Sequence, residues 1–491
     1  MNNEEYVAQQ YKKCVDIIET SLEKKDFENA LAAISVCAEL LYQWNQQYSD
    51  EFLERAVETI AKETKTAAID SLSDVDENTI LVYDNFGLDT RGLALIYIKA
   101  LAKTGKKIIY LTLNWAKDKQ PEIDKIISTN KNVQKVFFMG KTYLSKIKEL
   151  QKVIITFKPS KAFFYTTPHD SDGAVVFNQI AGKVVRYQIN LTDHAFWLGN
   201  NAFDYCLEFR DYGASITAKY RNIDKKNILI LPYYPFINKE IEFQGFPFDF
   251  AGKKIVFSGG SLYKTIDENR TYYKIVSEIL KANVDVVFLY AGNGDDTFLI
   301  DLQNQFKSRV FHIEERKDLY QLMKHITIYL NTYPMIGGLM TQYAAMAKKI
   351  PLTLKHDKDA SGILINQDKC CYEYDSSEAL IKDAIRLLED EEYLYQREKL
   401  LEGSVISEDV FNRQVLNLLE TNKTDFSVAF FDAIDTESFR NDYKIRFDRK
   451  KFERSICSKK NCVLALQYPC AYIQKIMGGG IKKIYKKIRI M

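Results

Sequence analysis

Two short segments place a histidine beside a carboxylate in this chain of 491 residues, which holds five histidines in all. His169 and Asp170 follow the segment KAFFYTTP, and Asp193 and His194 follow RYQINLT. An imidazole titrates near neutral pH and can take a proton from a hydroxyl group. These residue types therefore predict general-base chemistry. The structural alternative for each histidine is a loop residue bonded to a backbone carbonyl.

Three glycine-bearing segments, FSGGSLYKT, YAGNGDD and TYPMIGGLMT, suggest a second kind of chemistry. The backbone amides at a helix N-terminus bind anions, and Lys264 supplies a cation that could neutralise a phosphate leaving group. We therefore predict a diphosphate site. Lys264, Gly337, Gly338 and Thr341 would hold the diphosphate, and the rest of the ligand site would comprise Ser258, Gly259, Gly260, Asn293 and Gln342. The alternatives are a simple turn at the paired glycines and a solvent-exposed loop lysine.

Other residues and missing motifs narrow the chemistry. Trp197 is either a core residue or a platform for a sugar ring, and Asp170 joins it as a predicted acceptor-binding residue. The chain has no G-x-x-x-x-G-K-[ST] motif, so the phosphate loop of kinases and ATPases is excluded. The segment GLDTRG lacks the glycine spacing of a dinucleotide fingerprint, which disfavours a dehydrogenase.

The elements that must position these residues alternate between strand and helix. Apolar runs such as TILVYD and KKIVFSGG each lead into a loop and then an amphipathic helix. The pattern predicts an α/β protein with two tandem doubly wound domains, at 76–236 and 253–402, which commonly bind a ligand in the cleft between them. A helical region at 1–75, a small bundle or one helical hairpin of a repeat array, precedes them. A helical extension at 403–491 with a basic tail follows.

Composition and cysteine spacing favour a cytosolic protein. Hydrophobic residues make up 46% and charged residues 27% of the chain, enough to bury extensive cores. The eight cysteines have no C-x-x-C spacing, and no histidine lies near Cys457, Cys462 and Cys470, so neither a disulfide scaffold nor a metal site is predicted. The start of the sequence is polar, and no apolar run reaches the length of a membrane span.

Positive charge is concentrated at the C-terminal end, although the whole chain has a net charge of only +2. Residues 444–491 hold 14 Lys or Arg and two acidic residues. On a helix Ile481, Ile484, Tyr485 and Ile488 would share one apolar face, which favours contact with an anionic membrane surface. We therefore expect a cytoplasmic protein that is peripheral at the inner membrane face. A solvated tail or a nucleic-acid contact are alternatives, and nothing in the rest of the chain supports nucleic acid as a partner.

Over roughly residues 160–400 the chain resembles glycosyltransferases of the GT-B fold. The segments DGAVVFNQIAGKVVRYQINLTDHAFWLGNNAFDY, ILPYYP, FSGGSLYKT and LNTYPMIGGLMTQYAAMAKKIPLTL look like the O-GlcNAc transferase family and its bacterial protein-glycosylating relatives. In that family a lysine after the first strand of the second domain contacts the diphosphate, and Lys264 matches it. The diphosphate loop matches Gly337 to Thr341. The carboxylate that holds the ribose aligns best with Ala344, and Gln342 could replace it.

The resemblance implies transfer of a hexosyl or N-acetylhexosaminyl group from a nucleotide-sugar, a UDP-sugar in the first place. The acceptor would be a protein or a glycan, as in polysaccharide biosynthesis. His169, Asp193 or His194 would face the acceptor, and the reaction would need neither a cofactor nor a bound metal, because Lys264 and a helix dipole take the leaving charge. Two rivals share the fold: a non-catalytic partner subunit and a UDP-sugar epimerase.

Overall fold

The structure is a computed structural model, and it divides the chain into two compact units. The first unit comprises Met1–Leu207, Ile216–Leu229 and Phe447–Met491, and the second comprises Glu208–Ser215 and Ile230–Arg446. The structure describes residues 1–89, 93–356, 362–370, 372–434, 436–458 and 461–469. The predicted apolar face of the tail and the end of the GLDTRG segment lie outside the described residues.

The first sheet has seven strands in the order β3-β2-β1-β4-β5-β6-β7. The strands are β1 (Asp76–Asp84), β2 (Lys107–Leu113), β3 (Val133–Phe138), β4 (Pro159–Tyr165), β5 (Val185–Ile189), β6 (Tyr205–Glu208) and β7 (Ile228–Ile230). The pairs β1–β2, β2–β3, β1–β4, β4–β5 and β5–β6 are parallel. Strand order reverses between β1 and β4, so the loops after these two strands diverge and leave a crevice at the carboxyl edge.

The second sheet has six strands in the order β10-β9-β8-β11-β12-β13. The strands are β8 (Lys254–Gly259), β9 (Val286–Ala291), β10 (Val310–Ile313), β11 (Ile328–Leu330), β12 (Pro351–Leu354) and β13 (Glu373–Tyr374). All its neighbouring pairs are parallel. Here the order reverses between β8 and β11, so the loops after β8 and β11 mark the crevice of this sheet.

Helices cover the sheets and extend the chain at both ends. Those up to the end of the first sheet are α1 (Asn3–Glu23), α2 (Phe27–Trp44), α3 (Glu51–Thr64), α4 (Ala67–Asp70), α5 (Leu93–Ala102), α6 (Pro121–Thr129), α7 (Tyr143–Phe157), α8 (Ser171–Gln179) and α9 (Asp211–Tyr220). The later ones are α10 (Thr271–Ala282), α11 (Thr297–Phe306), α12 (Leu319–Met323), α13 (Gly338–Met346), α14 (Gln367–Cys370), α15 (Ser377–Glu389), α16 (Glu391–Lys399), α17 (Glu408–Thr421), α18 (Glu437–Arg446), α19 (Arg449–Ser458) and α20 (Cys462–Gln467). No described helix combines the length and the apolar character that crossing a membrane requires.

The N-terminal helices share one apolar core with the first sheet. Ile34 of α2, Phe164 of β4 and Val176 of α8 are all buried in the same cluster. The small residues of α2 let neighbouring helices approach closely, and the helix ends at Asn45, which has a left-handed backbone (φ 46°). The helical region is therefore part of the packing of the first unit.

A buried carboxylate also joins the helical region to the loop that follows β5. Glu54 of α3 accepts a hydrogen bond from the backbone amide of Gly199 at 2.8 Å, and its side chain is buried. Burial raises the pKa of Glu54 to about 7, and the amides of Gly199 and Asn200 oppose that shift. At neutral pH this carboxyl group is therefore close to its titration midpoint.

The last described helices return to the first unit. Phe452 and Ile456 of α19 and Leu464 of α20 are fully buried in the cluster that holds α1 and α2. Phe447 stacks edge-on against Trp44, with ring centroids 5.2 Å apart. The segment that we predicted as one extension, 403–491, is therefore shared between the two units. Its helices α17 and α18 belong to the second unit, and α19 and α20 belong to the first.

The predicted fold class is confirmed, since the two parallel sheets are Rossmann-like and a helical region precedes them. The predicted domain boundaries stay predictions. The strands β6 and β13 have no strand pattern of their own in the sequence. Both are short, so their pairing depends on a neighbouring strand more than on a local apolar pattern.

Truncating Phe452 should destabilise the first unit. The substitution Phe452→Ala removes a fully buried ring from the core shared with the N-terminal helices and should cost about 3–5 kcal/mol in the free energy of unfolding. Urea denaturation followed by circular dichroism measures this. Leu466→Ala on α20 is the matched control, because Leu466 is 79% exposed and its loss should cost less than about 0.5 kcal/mol. Equal midpoints for the two variants would contradict this packing.

The raised pKa of Glu54 predicts a pH-dependent stability. A carboxyl group whose pKa is higher in the folded state stabilises the fold below its unfolded pKa, and that stabilisation is lost as pH rises through about 7. Relative to Glu54→Gln, the wild-type free energy of unfolding should fall by on the order of 1 kcal/mol per pH unit between about pH 5 and 7. Denaturation at several pH values measures it, with Glu58→Gln on the same helix as the control. Parallel curves for wild type and Glu54→Gln would refute the prediction.

Candidate functional site

The crevice of the second sheet lies between the segments that follow β8 and β11. The first of these carries Gly259, Gly260 and Lys264, and the second runs through residues 331–337 into α13. Both follow parallel strands, so both emerge at the carboxyl edge. The structure thus brings together two segments that we predicted to form one anion site, with Lys264 and Ile336 separated by 72 residues in the sequence.

Lys264 connects these two segments directly. Its backbone carbonyl accepts a hydrogen bond from the amide of Met335 at 3.3 Å. Its Nζ lies 3.4 Å from the carbonyl oxygen of Ile336, and the side chain is half-buried. The ammonium group is therefore held beside Gly337 and Gly338, where it adds positive charge to the N-terminal end of α13.

The buried side chain of Asn331 organises the loop before α13. Its Oδ1 accepts hydrogen bonds from the amides of Gly337 at 2.9 Å and Thr332 at 3.0 Å. Its Nδ2 donates to the hydroxyls of Thr341 at 2.8 Å and Thr353 at 3.1 Å. The sequence analysis did not single out Asn331, because its role depends on four partners that only the fold assembles.

The N-terminus of α13 has the features that we predicted for anion binding. The amides of a helix's first turn have no intrahelical acceptor, and Gly338 begins this turn. A Cβ added to Gly338 would lie 3.0 Å from Ile363 Cδ1 and 3.3 Å from the Tyr233 hydroxyl, so a larger residue would crowd these two side chains. Thr341 is 1% exposed and its hydroxyl also donates to the Gly337 carbonyl at 3.1 Å, so Thr341 supports the turn from inside.

Glycines also hold the loops after β8 and β9 together. A Cβ added to Gly292 would lie 1.8 Å from the carbonyl oxygen of Gly260, so no other residue fits there. The Tyr290 hydroxyl donates to the same oxygen at 3.1 Å, and the amide of Leu262 donates to the carbonyl of Asn293 at 3.0 Å. Of the other predicted residues here, the Asn293 side chain is exposed and Ser258 is buried.

The residues proposed for the ribose lie deeper in the second unit. Ala344 is fully buried in the apolar cluster that includes Phe257 and Tyr329. Gln342 is 3% exposed, and its Nε2 donates to the backbone carbonyls of Tyr233 at 2.9 Å and Ile363 at 3.4 Å. Its Oε1 is buried without a hydrogen-bond partner among the described residues. Gln342 thus has an acceptor atom still to satisfy, whereas position 344 packs inside the core.

In the first unit, the loops after β1 and β4 are hydrogen-bonded to each other where they leave the sheet, at the base of the crevice. The amide of Asn85 donates to the Tyr165 carbonyl at 2.9 Å, and the Asn85 side chain lies 3.5 Å from the Thr167 hydroxyl. His169 and Asp170 follow immediately. The structure therefore places both of these predicted residues beside the point where strand order reverses.

Asp170 begins α8, and its environment favours the protonated carboxyl group. Its Oδ1 accepts a hydrogen bond from the amide of Gly173 at 3.0 Å, and the residue is 3% exposed. Burial and, secondly, the neighbouring carboxylate of Asp172 raise the pKa of Asp170 to about 7. A Cβ at Gly173 would lie 2.6 Å from Asp170 Oδ2, so the glycine is needed for this cap. These contacts describe a buried cap whose charge depends on pH.

Asp193 and His194 lie in the turn after β5, and the side chain of Asn45 is hydrogen-bonded to the backbone of this turn. The Nδ2 of Asn45 donates to the carbonyl of His194 at 3.0 Å, and its Oδ1 accepts from the amide of Phe196 at 3.1 Å. His194 Nδ1 lies 3.1 Å from Asp193 Oδ1, and the Asp193 side chain is 1% exposed. The end of α2 therefore fixes the second histidine-bearing turn.

The two tryptophans of the first unit's loops differ in exposure. Trp197 is 3% exposed, packs against Phe203 and Cys206, and lies under the guanidinium of Arg221 at 4.8 Å. This burial favours the core interpretation over the sugar platform. Trp115, which the sequence analysis missed, is 50% exposed in the segment after β2. The only feature of the sequence that could have singled out Trp115 is that it is an aromatic residue in a loop at the end of a strand.

A buried aspartate at the end of β1 was also missed. Asp84 accepts hydrogen bonds from the amides of Phe86 and Gly87 at 2.9 and 3.0 Å and from the Tyr110 hydroxyl at 2.6 Å. Burial raises the pKa of the Asp84 carboxyl group, and the hydrogen bonds from Tyr110 and Gly87 oppose that shift. Asp84 thus shapes the first turn of the crevice. The described residues contain no group of three or more His, Cys, Asp or Glu side chains arranged to hold a metal ion.

Comparison with known proteins supports the fold. No protein-family model matches the chain, and no curated protein sequence matches it. Among solved structures, an O-GlcNAc transferase mutant from Thermobaculum terrenum is similar over 93% of this chain and 85% of its own, with 13% identity and a TM-score of 0.51.

Two further structures have TM-scores of 0.50 and 12% identity. Anabaena HepE, in complex with UDP and glucose, is similar over 70% of this chain and 99% of its own. A putative UDP-N-acetylglucosamine 2-epimerase from Listeria monocytogenes is similar over 72% of this chain and 100% of its own. At such low identity these structures establish the fold and no more. The two sheets, their reversal points and these neighbours together show that the chain has the GT-B fold.

Proposed function

We propose that this chain is a glycosyltransferase that moves a sugar from a nucleotide diphosphate donor, with UDP as the nucleotide, to a protein or glycan acceptor. The observation that carries the proposal is the contact of Lys264 with the segment 335–336, which holds its ammonium group at the N-terminal end of α13. A cation and a row of helix amides at one crevice suit a diphosphate leaving group.

The second unit would hold the donor. Lys264 Nζ and the amides that begin at Gly338 would bind the diphosphate and stabilise the charge that develops when the sugar leaves. Asn331 and Thr341 would keep the loop in place, and Gly259 and Gly260 would allow close approach of the backbone. Asn293 and Gln342 would help to bind the ribose or the base, Gln342 through its unsatisfied Oε1.

The first unit would supply the acceptor side. His169, Asp193 and His194 are the candidates for accepting the proton of an acceptor hydroxyl group, and Asp170 would shape the same crevice. Trp197 is a poor candidate for the acceptor because it is buried. The basic segment 444–491, with the apolar face expected at Ile481, Ile484 and Ile488, would favour a cytoplasmic protein at an anionic membrane surface, a proposal that rests on the sequence alone.

A non-catalytic partner subunit of the same fold is the second candidate. It is favoured by the fully buried Ala344, which aligns with the ribose-binding carboxylate of the O-GlcNAc transferase family and offers no polar group. A UDP-sugar epimerase is the third, since a putative epimerase shares the fold. The three candidates differ in what they do with a UDP-sugar.

Removing the amino group of Lys264 should weaken nucleotide binding. Loss of a charge-assisted contact to a diphosphate predicts about a 10- to 100-fold higher Kd for UDP in Lys264→Ala, measured by isothermal titration calorimetry. Lys281→Ala on α10 is the matched control, because Lys281 is exposed and paired with Glu278. An unchanged Kd in Lys264→Ala would remove the basis of the proposed donor site, and absence of UDP binding in the wild type would favour the non-catalytic partner.

Turnover of UDP-sugars should require an acceptor. A transferase releases UDP only slowly until an acceptor is supplied, whereas an epimerase changes the sugar's configuration with no acceptor and keeps the UDP-sugar intact. Proton and phosphorus NMR of a panel of UDP-hexoses and UDP-N-acetylhexosamines, with and without peptide and glycan acceptors, distinguishes these outcomes. Conversion of the sugar while it stays bound to UDP would replace the transferase assignment by the epimerase.

A further inference from the structure

One face of α2 packs against the segment after β4, which borders the crevice of the first unit. Leu31, Ser35 and Glu39 are spaced four residues apart, so they lie along one side of the helix. The Leu31 carbonyl accepts a hydrogen bond from the Ser171 hydroxyl at 3.2 Å, and the Ser35 hydroxyl donates to the His169 carbonyl at 2.9 Å. Successive turns of the helix are thus hydrogen-bonded to the segment that follows β4.

The third contact reaches the imidazole itself. Glu39 Oε2 lies 2.8 Å from His169 Nδ1, and the side chains are 13% and 30% exposed. Gln43, one turn further along α2, donates to the other carboxylate oxygen of Glu39. A carboxylate at this ion-pair distance from Nδ1 favours the tautomer that carries the ring proton on that nitrogen, and Nε2 is then the basic atom.

The geometry of the second histidine is different. His194 follows β5, one strand away from the reversal between β1 and β4, whereas His169 follows β4 at the reversal. The carboxylate near His194 Nδ1 belongs to the adjacent residue, Asp193, at 3.1 Å. His169 is therefore oriented by a separate helix and stands at the position where open α/β sheets bind their ligands.

We infer that Glu39 is the positioning residue of a His169 general base, so that the N-terminal helical region belongs to the active site. This inference rests on the proposed transferase function. As the acceptor oxygen forms its bond to the anomeric carbon, its proton passes to His169 Nε2. The bond from the anomeric carbon to the diphosphate oxygen breaks, and its electron pair leaves with the diphosphate. Glu39 stabilises the imidazolium through Nδ1–H.

Other charged groups near this loop come from two elements. Asp170 and Asp172 lie at the start of α8, and Lys146 of α7 lies 3.6 Å from Asp172 Oδ2. Burial and the charge of Asp172 raise the pKa of Asp170 to about 7, so Asp170 itself changes charge near neutral pH. Variants of Glu39 must therefore be compared at the same series of pH values, because the Asp170 contribution is common to all of them.

The test replaces Glu39 by glutamine and measures transfer over a range of pH. Glu39→Gln should lower kcat about 10- to 100-fold, with the KM of the donor unchanged. The acid limb of the pH–rate profile should move to lower pH, since loss of the carboxylate makes the imidazolium easier to deprotonate. Glu28→Gln is the matched control: Glu28 lies on the same helix and caps α7 through the amides of Tyr143 and Leu144, at 3.0 and 2.9 Å. It should leave kcat and the acid limb unchanged.

A second measurement does not depend on activity. The wild-type chain has five histidines, so long-range ¹⁵N–¹H NMR of the rings can resolve them, with His169→Gln for assignment. The expected result is His169 as the Nδ1–H tautomer at high pH. An Nε2–H tautomer, or a kcat that Glu39→Gln does not change in an active enzyme, would overturn the inference. If the wild type neither binds UDP nor transfers a sugar but shows the Nδ1–H tautomer, the proposed function fails. The role of His169 as a base is then overturned, whereas its contact with Glu39 is established.

Discussion

Both ends of the Asn331 side-chain amide are hydrogen-bonded, and the candidate donor site depends on that arrangement. Asn331 is 3% exposed and connects the end of β11 to the first turn of α13 and to β12. An amide can donate and accept at once, so one residue accepts from two loop amides and donates to two buried hydroxyls. The loop that carries Gly337 thereby keeps a fixed position beside Lys264. The ammonium group of Lys264 and the first amides of α13 can then contact the same anion.

A second asparagine performs the corresponding task in the first unit. Asn45, at the left-handed end of α2, accepts from one amide and donates to one carbonyl of the turn 194–196. The same helix holds the loop of His169 through Ser35 and Glu39. Two histidine-bearing loops therefore share one rigid support. Residues on a packed helix keep their geometry better than residues on a loop, which favours precise placement of a base.

The two crevices differ in charge. The first contains buried carboxyl groups, Asp84 and Asp170, whose pKa values burial raises, together with histidine. The second contains Lys264 and the positive end of a helix dipole. A crevice that can accept protons suits an acceptor hydroxyl group, and a crevice with positive charge suits a diphosphate. This difference is the physical basis for our proposal that the acceptor binds to the first unit and the donor to the second.

The sequence by itself determined the class of the fold and the position of most strand-end loops. Runs such as TILVYD and KKIVFSGG encode strands locally, and glycine, proline and polar residues mark where they end, so the segments of His169, Lys264 and Gly337 could be predicted. The tertiary structure alone decided that Trp197 is buried, that Asn331 and Asn45 support the loops, and that Glu39 faces His169. These facts depend on contacts between residues far apart in the chain. Such contacts follow from the packing of whole elements, which the pattern of any one segment does not contain.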